Sequence, residues 1–217
     1  MRAWELRRTI AAFFMPNRCP FCGDVIGVRE FWCAPCFEHL LMLDDPGEIP
    51  EGLDGFSAVC RYSGRARTAV LRLKEGFYRY PADAFAVLIA ENAAELIQRS
   101  DVITAIPSGR KRRRELGYAQ AELIAKMLSQ ISGKPFRRLL FAEKGKLEQK
   151  RLSREERLEN AARAFRFSGR EDIRGKSVLV IDDVCTTGAT MSAAAGLIRN
   201  AGAAEVCGAV FARVMRK

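Results

Sequence analysis

Residues 178–190 form the segment that most constrains how this 217-residue chain can fold. Four apolar residues, 178–181, lead into the neighbouring acids Asp182 and Asp183, and small residues around Gly188 then precede an alanine-rich stretch. This order predicts a buried strand, two carboxylates, a tight turn and the start of a helix. Backbone N–H groups in such a turn converge on an anion, and the helix N-terminus adds a partial positive charge. The segment is therefore predicted to bind a phosphate group.

The two acids extend the predicted ligand beyond a phosphate group. A carboxylate is a poor ligand for a phosphate group, because both groups carry negative charge. It does accept hydrogen bonds from sugar hydroxyls. We therefore expect a phosphorylated ribose, with its hydroxyls on Asp182 and Asp183 and its phosphate on the turn. The turn residues assigned to this ligand are Val184, Cys185, Thr186, Thr187, Gly188, Ala189 and Thr190. The alternative is an ordinary strand-to-helix turn capped by threonine, but capping needs one hydroxyl group and this turn has three.

Strand and helix patterns alternate along much of the chain. Strands are predicted at 56–62, 102–106, 138–141, 178–181 and 206–211, and helices at 63–73, 81–98, 118–129 and 190–200. This alternation is typical of an α/β fold in which a mainly parallel sheet is flanked by helices. Ligands bind such sheets at the carboxyl ends of the strands, where the loops after 102–106 and 178–181 begin.

A second polar loop follows the strand predicted at 102–106. It begins with Ser108, Gly109, Arg110 and Lys111 and continues through three more arginines to Gly117. Small residues allow a ligand to approach the backbone closely, and the cations neutralise anionic charge. A solvated run of surface charge is the alternative, but the position directly after a core strand favours anion binding.

Four of the seven cysteines form two C-x-x-C pairs, Cys19 with Cys22 and Cys33 with Cys36. A pair with this spacing directs both thiolates to one centre, and two pairs complete a tetrahedral Zn²⁺ site of the structural type. Disulfide bonds are the competing interpretation, although nothing in the sequence indicates secretion. His39, the only histidine, is expected beside this site and not in it, since four thiolates already fill the coordination sphere.

Spacing and composition predict three parts: a zinc-binding unit with a leading helix at 1–45, a linker rich in proline and glycine at 46–55, and a larger domain at 56–217. The formal net charge of +10 favours polyanionic partners such as nucleic acid, nucleotides or diphosphate. No apolar run approaches the ~20 residues that span a bilayer. The apolar N-terminal patch lacks the cleavage site of a signal peptide, so the expected location is cytoplasmic.

Segment 178–190 resembles the phosphoribosyl diphosphate (PRPP) binding motif of type I phosphoribosyltransferases. In that resemblance, the loop at Ser108 receives the diphosphate leaving group, and residues 144–163 are similar to the mobile hood that closes over PRPP. Further motifs and the four cysteines make the chain similar to the ComF family, phosphoribosyltransferase-like proteins linked to competence and DNA uptake. These motifs are Tyr62-Ser63-Gly64, Leu73-Lys74, Arg113, Glu115, Gly117, Gln120-Ala121-Glu122, and Gln149, Leu152, Arg157, Asn160, Ala164 and Phe165.

The resemblance implies a type I phosphoribosyltransferase fold and displacement of diphosphate from C1 of PRPP by an unknown nucleophile. Asp182 and Asp183 are then the catalytic residues that hold the ribose, the turn at 184–190 binds the 5′-phosphate, and residues 108–111 meet the diphosphate. Mg²⁺ is expected to bind with PRPP, and Zn²⁺ on the four cysteines. The alternative is a non-catalytic protein that uses a degenerate version of the same fold and its zinc unit to bind single-stranded DNA.

Overall fold

The computed structural model describes residues 3–75, 80–109, 114–115, 117–143 and 165–215. The helices named within these ranges are α1 (Ala3–Phe14), α2 (Ala34–Glu38), α3 (Gly64–Lys74), α4 (Tyr80–Asn92), α5 (Ala94–Arg99), α6 (Gln120–Ser132) and α7 (Ala189–Asn200). The strands are β1 (Gly55–Arg61), β2 (Val102–Ala105), β3 (Leu140–Ala142), β4 (Phe165–Phe167), β5 (Ser177–Cys185) and β6 (Glu205–Arg213).

Four strands form a parallel sheet in the order β1-β6-β5-β2. All four strands are rich in buried apolar residues, as expected for strands covered on both faces. β3 and β4 form a separate antiparallel pair. The α/β prediction is confirmed: the fold is a mainly parallel sheet flanked by helices, with a four-cysteine cluster near the N-terminus.

The two faces of the sheet carry separate apolar clusters. Along β5, Leu179 and Ile181 belong to one cluster, whereas Val178 and Val180 belong to the other, because successive side chains of a strand point to opposite faces. The first cluster contains the buried faces of α3, α4 and α6, and the second contains that of α7. Helices on both faces hold β5 rigidly in the centre of the fold.

The strand predicted at 178–181 is longer than expected, since β5 continues through both aspartates to Cys185. The extra length comes from β6, which keeps pairing with β5 as far as Cys185 opposite Arg213. The helix predicted at 81–98 is instead two helices, α4 and α5. Ala93 interrupts it because its backbone, at φ −106° and ψ 26°, leaves the helical region.

The cysteine-containing N-terminal residues pack against the sheet. Phe21, which is buried, stacks on Phe211 of β6 with ring centroids 6.4 Å apart, and Phe211 stacks in turn on Phe85 of α4 at 3.7 Å. This contact gives the short N-terminal segment an apolar anchor on the main core. Within the described ranges, the helices are all too short or too polar to cross a membrane.

Candidate functional site

Asp182 and Asp183 lie at the carboxyl edge of the main sheet. β5 pairs with β2 only as far as Ile181, opposite Ala105, whereas its pairing with β6 continues beyond the acids. Asp183 is 7% exposed, and its backbone N–H donates to Asp182 Oδ1 across 2.8 Å. Because β2 ends before the acids, their part of β5 has, within the described ranges, no paired strand on that side. β6 still pairs with it, so the two carboxylates have a rigid support.

The pKa of Asp182 is strongly shifted. Burial of the carboxyl group, followed by the charge of Asp183, raises the pKa of Asp182 well above its ordinary value. The N–H of Asp183 and the charge of Lys74 act in the opposite direction but do not reverse this rise in pKa. A raised pKa at a buried acid is typical of functional sites, because catalysis and binding often need a carboxyl group whose pKa is shifted.

The turn after β5 brings a left-handed glycine and three threonines to the start of a helix. Gly188, at φ +82° and ψ −13°, is in the left-handed region and caps the N-terminus of α7. The N–H of Ala189 lies 3.4 Å from Thr187 Oγ1, a long hydrogen bond. Thr186 is exposed, and Thr187 and Thr190 are half-buried. Hydroxyl groups and the first turn of a 12-residue helix therefore meet at the same edge as the acids.

Cys185 and Val184 are placed differently from the threonines. Cys185 is 3% exposed, and burial raises the pKa of its thiol. Val184 is half-buried and packs against the first apolar cluster. That Val184 and Cys185 bind a ligand stays a prediction. Because the side chain of Cys185 points into the core, a ligand at this position would meet its backbone.

Ser108 and Gly109 follow β2 at the same edge of the sheet. Ser108 Oγ donates to Gln120 Oε1 at the start of α6 across 3.1 Å, which ties the loop to that helix. A cavity of about 90 Å³ adjoins the loop, and Glu122 and Arg138 also line it. Arg110 and Lys111, like Arg112, Arg113 and the predicted hood at 144–163, lie outside the described residues. Their roles remain predictions.

Two residues at this site were not revealed by residue spacing. Lys74, at the end of α3, forms an ion pair with Asp183, with its Nζ 2.9 Å from Oδ2. Its only signal in the sequence was membership of the Leu73-Lys74 motif, without a role. Pro50 packs over Gly188 although it belongs to the segment predicted as a linker. Both contacts join parts of the chain more than one hundred residues apart, beyond the reach of a local pattern.

The four cysteines predicted to bind metal converge on one centre. The Sγ atoms of Cys19, Cys22, Cys33 and Cys36 all lie within 4.8 Å of one another. Cys33 Sγ is 3.6 Å from Cys19 Sγ and 3.8 Å from Cys22 Sγ, close to the about 3.8 Å between sulfurs in a tetrahedron with Zn–S bonds of about 2.3 Å. These separations are too long for disulfide bonds, and all four thiols are free. The cluster can therefore hold a metal ion.

Hydrogen bonds support the cluster from the backbone and from α3. Burial raises the pKa of Cys19, but N–H groups of Cys33, Cys22 and Phe21 outweigh it and bring this pKa to about 7. Arg65 Nη1 donates to Cys36 Sγ across 2.9 Å. His39 is exposed, with Nδ1 2.7 Å from the carbonyl of Pro35, so it lies beside the cluster without entering it.

Comparison with known protein families gives a match to most of the chain. The family described as "Phosphoribosyl transferase domain" matches residues 82–217, more than half of the chain. This range contains both aspartates, the turn at Gly188 and the loop at Ser108. The four cysteines, α3 and β1 precede it. Together with the mainly parallel sheet flanked by helices, this match confirms the predicted type I phosphoribosyltransferase fold.

Individual relatives match over shorter stretches. The adenine phosphoribosyltransferase of Nocardia farcinica (strain IFM 10152) is 45% identical over 67 residues, which are 30% of this chain and 35% of that protein. The chain therefore spans about a third of that relative's length. Among solved structures, the glutamine PRPP amidotransferase of B. subtilis is 20% identical over 60% of this chain and 26% of its own, with a TM-score of 0.40. The purine phosphoribosyltransferase of Pyrococcus horikoshii Ot3 is 18% identical over 61% of this chain and 82% of its own, with a TM-score of 0.39.

Proposed function

The chain belongs to the phosphoribosyl transferase domain family, and from that premise we propose that it binds PRPP and transfers the phosphoribosyl group to a nucleophile. The observation that carries this proposal is that the two acids, the turn and the start of the helix follow one another directly along the chain. Eight residues lead from Asp182 and Asp183 through the left-handed Gly188 to the start of α7 at Ala189. Acceptors for ribose hydroxyls and donors for a phosphate group are thus held on one rigid strand and helix.

In this proposal, the chain orients PRPP by its two ends. Asp182 and Asp183 accept the ribose hydroxyls, and the turn at 186–190 donates to the 5′-phosphate. Ser108 and Gly109, at the end of the neighbouring strand, face the diphosphate. The bond between C1 and the diphosphate oxygen breaks, a bond from the nucleophile to C1 forms, and diphosphate leaves with the electron pair of the broken bond.

Oxygen donors at this edge are compatible with Mg²⁺, which prefers oxygen ligands and retains much of its water. Ligand oxygens and water are expected to hold the ion, with the two aspartates acting through the ribose hydroxyls. When bound, Mg²⁺ supplies neutralising charge to the diphosphate. The residues of the chain orient the sugar and fix the phosphate.

We further propose that the protein is of the ComF type, with a structural Zn²⁺ on the four cysteines and a link to DNA uptake. The position of the cysteine cluster before the transferase domain supports this proposal, as does the packing of Phe21 against Phe211. The motifs at Tyr62-Ser63-Gly64 and Leu73-Lys74 belong to the same resemblance.

The first experiment is titration calorimetry of PRPP with and without Mg²⁺, followed by a diphosphate-release screen over bases, amines and ammonia. We expect Mg²⁺-dependent binding, and release of diphosphate with the correct nucleophile. Thr187→Ala should weaken PRPP binding by about 1.5–3 kcal/mol, the range for hydrogen bonds to charged groups. Thr68→Ala, at an exposed threonine of α3, is the matched control and should bind PRPP like the parent protein. Absence of PRPP binding at every Mg²⁺ concentration would refute the enzymatic function.

The second candidate is single-stranded DNA binding, favoured by the net charge of +10 and the basic run at 110–114. Contacts with a DNA backbone should give an affinity that falls steeply with salt and depends little on sequence. Replacing Arg112, Arg113 and Arg114 by alanine should then reduce the salt dependence. If the triple variant binds DNA as the parent does, these arginines have no part in DNA binding.

A further inference from the structure

The ion pair between Lys74 and Asp183 joins two elements that the chain separates widely. Lys74 is the last residue of α3, and Asp183 lies in β5. Lys74 Nζ is 2.9 Å from Asp183 Oδ2, and the two side chains are 29% and 9% exposed. Among the described residues, Oδ2 accepts no well-aligned hydrogen bond, so the charge of Lys74 is what holds this oxygen.

The rest of α3 is fixed on the cysteine cluster. Arg65 donates to Cys36 Sγ across 2.9 Å, and Arg72 donates to the carbonyls of Pro20 and Cys22 across 3.0 and 2.9 Å. Residues 65 and 72 lie about two turns apart and share a face of the helix, whereas residue 74 is rotated by about 200° from residue 72. One face of α3 is therefore fastened to the cluster, and Lys74 projects from another face to the acids.

A cation is needed at this position for a physical reason. Asp182 and Asp183 are adjacent, partly desolvated and linked by the N–H of Asp183 to Oδ1 of Asp182. Two neighbouring carboxylates at a buried site repel each other, and the free energy of holding both charged falls when a cation lies close. Lys74 supplies such a charge, and it lowers the pKa of Asp182.

We propose that Lys74 is the positioning residue that fixes Asp183 for a ribose hydroxyl and thereby gives the site its preference for a sugar phosphate over a simple phosphate. This proposal rests on the proposed function. Lys74 holds one carboxylate oxygen, so the carboxylate keeps a single orientation before the ligand arrives. Its charge also offsets the repulsion between the two acids. The phosphate turn at Gly188 depends on its own backbone and does not need Lys74.

The test compares two ligands on the full chain by titration calorimetry: ribose 5-phosphate and inorganic phosphate. Lys74→Met should weaken ribose 5-phosphate by about tenfold or more, since it removes a charged support of a hydrogen-bonding carboxylate, and should leave phosphate within about twofold. Lys74→Arg keeps the charge and should recover most of the loss. Lys134→Met is the control. Lys134 donates to the carbonyl of Gln98, away from the acids, so this variant should bind both ligands like the parent.

A double variant separates positioning from a general effect of charge. If Lys74 acts through Asp183, adding Lys74→Met to Asp183→Asn should change the affinity for ribose 5-phosphate by less than about twofold. An additive loss, an equal loss of both ligands, or no loss in Lys74→Met would overturn the proposal. Lys74→Gln replaces Lys74→Met if that variant fails to fold. A parent protein that binds phosphate but no ribose 5-phosphate would refute the proposed function itself, and with it this role.

Discussion

Pro50 packs directly over Gly188. A Cβ atom added to Gly188 would lie 3.1 Å from Pro50 Cβ and 3.2 Å from Pro50 Cγ, closer than ordinary van der Waals contact. Pro50 is buried, although the sequence placed it in a linker. The segment before β1 therefore covers the turn between β5 and α7, and Gly188 is constrained from outside as well as by its own positive φ.

Gly188→Ala should therefore damage both stability and the turn. The left-handed backbone alone costs a non-glycine residue about 1–2 kcal/mol, and the contact with Pro50 adds to this. Gly196→Ala is the matched control inside α7, the helix that Gly188 caps, because a Cβ at Gly196 would meet open space. It should be neutral or stabilising by about 0.5–1 kcal/mol. Urea unfolding of both variants measures the difference, and equal free energies of unfolding would contradict the constraint at Gly188.

Asp182→Asn should stabilise the fold while weakening ribose binding. The folded-state pKa of Asp182 is raised, mainly by burial and then by the charge of Asp183. Between the pKa of Asp182 in the unfolded chain and its higher pKa in the folded protein, the native state binds more protons than the unfolded state. The free energy of unfolding therefore falls as the pH rises through this window. The advantage of the variant should grow with pH from about 4 upward and level off above the folded pKa.

Thermal unfolding at several pH values measures this advantage, and each kcal/mol corresponds to about 2–4 °C for a chain of this size. The hydrogen bond from the N–H of Asp183 can persist, because asparagine keeps an Oδ1 acceptor. A variant with the same melting temperature as the parent at every pH would show that the carboxylate of Asp182 carries no such cost.

The cysteine cluster should carry about one equivalent of Zn²⁺ per chain, as a closed four-thiolate site does. Cys33→Ser should lose the metal and loosen the N-terminal segment, because the binding energy of such a site is part of its folding energy. Cys207→Ser, at a buried cysteine of β6 outside the cluster, should keep the full equivalent. Elemental analysis and chelator-induced unfolding provide the measurements. A metal-free protein, or a Cys33→Ser variant with full occupancy, would refute the site.

Phe21→Ala tests whether the cysteine segment and the sheet unfold together. Phe21 is 2% exposed and stacks on Phe211, so its removal should cost about 3–5 kcal/mol in a single transition. Phe13→Ala is the control, since Phe13 is 88% exposed and its loss should change stability by no more than about 0.5 kcal/mol. Two separate transitions in the parent protein would show that the N-terminal segment folds independently.

Much of this protein is determined by local sequence. The strand, acids, turn and helix at 178–190 and the two C-x-x-C pairs lie within short stretches, so backbone geometry and residue type are enough to predict a strand followed by an anion turn, and a cluster of thiols. The alternation of strands and helices likewise predicts a parallel sheet, because each pattern spans only 4 to 18 residues.

What remained was decided by packing between distant segments. The sequence pattern alone does not show that Lys74 meets Asp183, that Pro50 covers Gly188, or that Phe21 stacks on Phe211. Strand β5 extends through its acids because β6 offers backbone partners beyond the end of β2, and no residue of β5 encodes that neighbour. Local chemistry thus determined which groups the protein possesses, and the tertiary structure decided which of them touch, because a contact depends on the path of the whole chain.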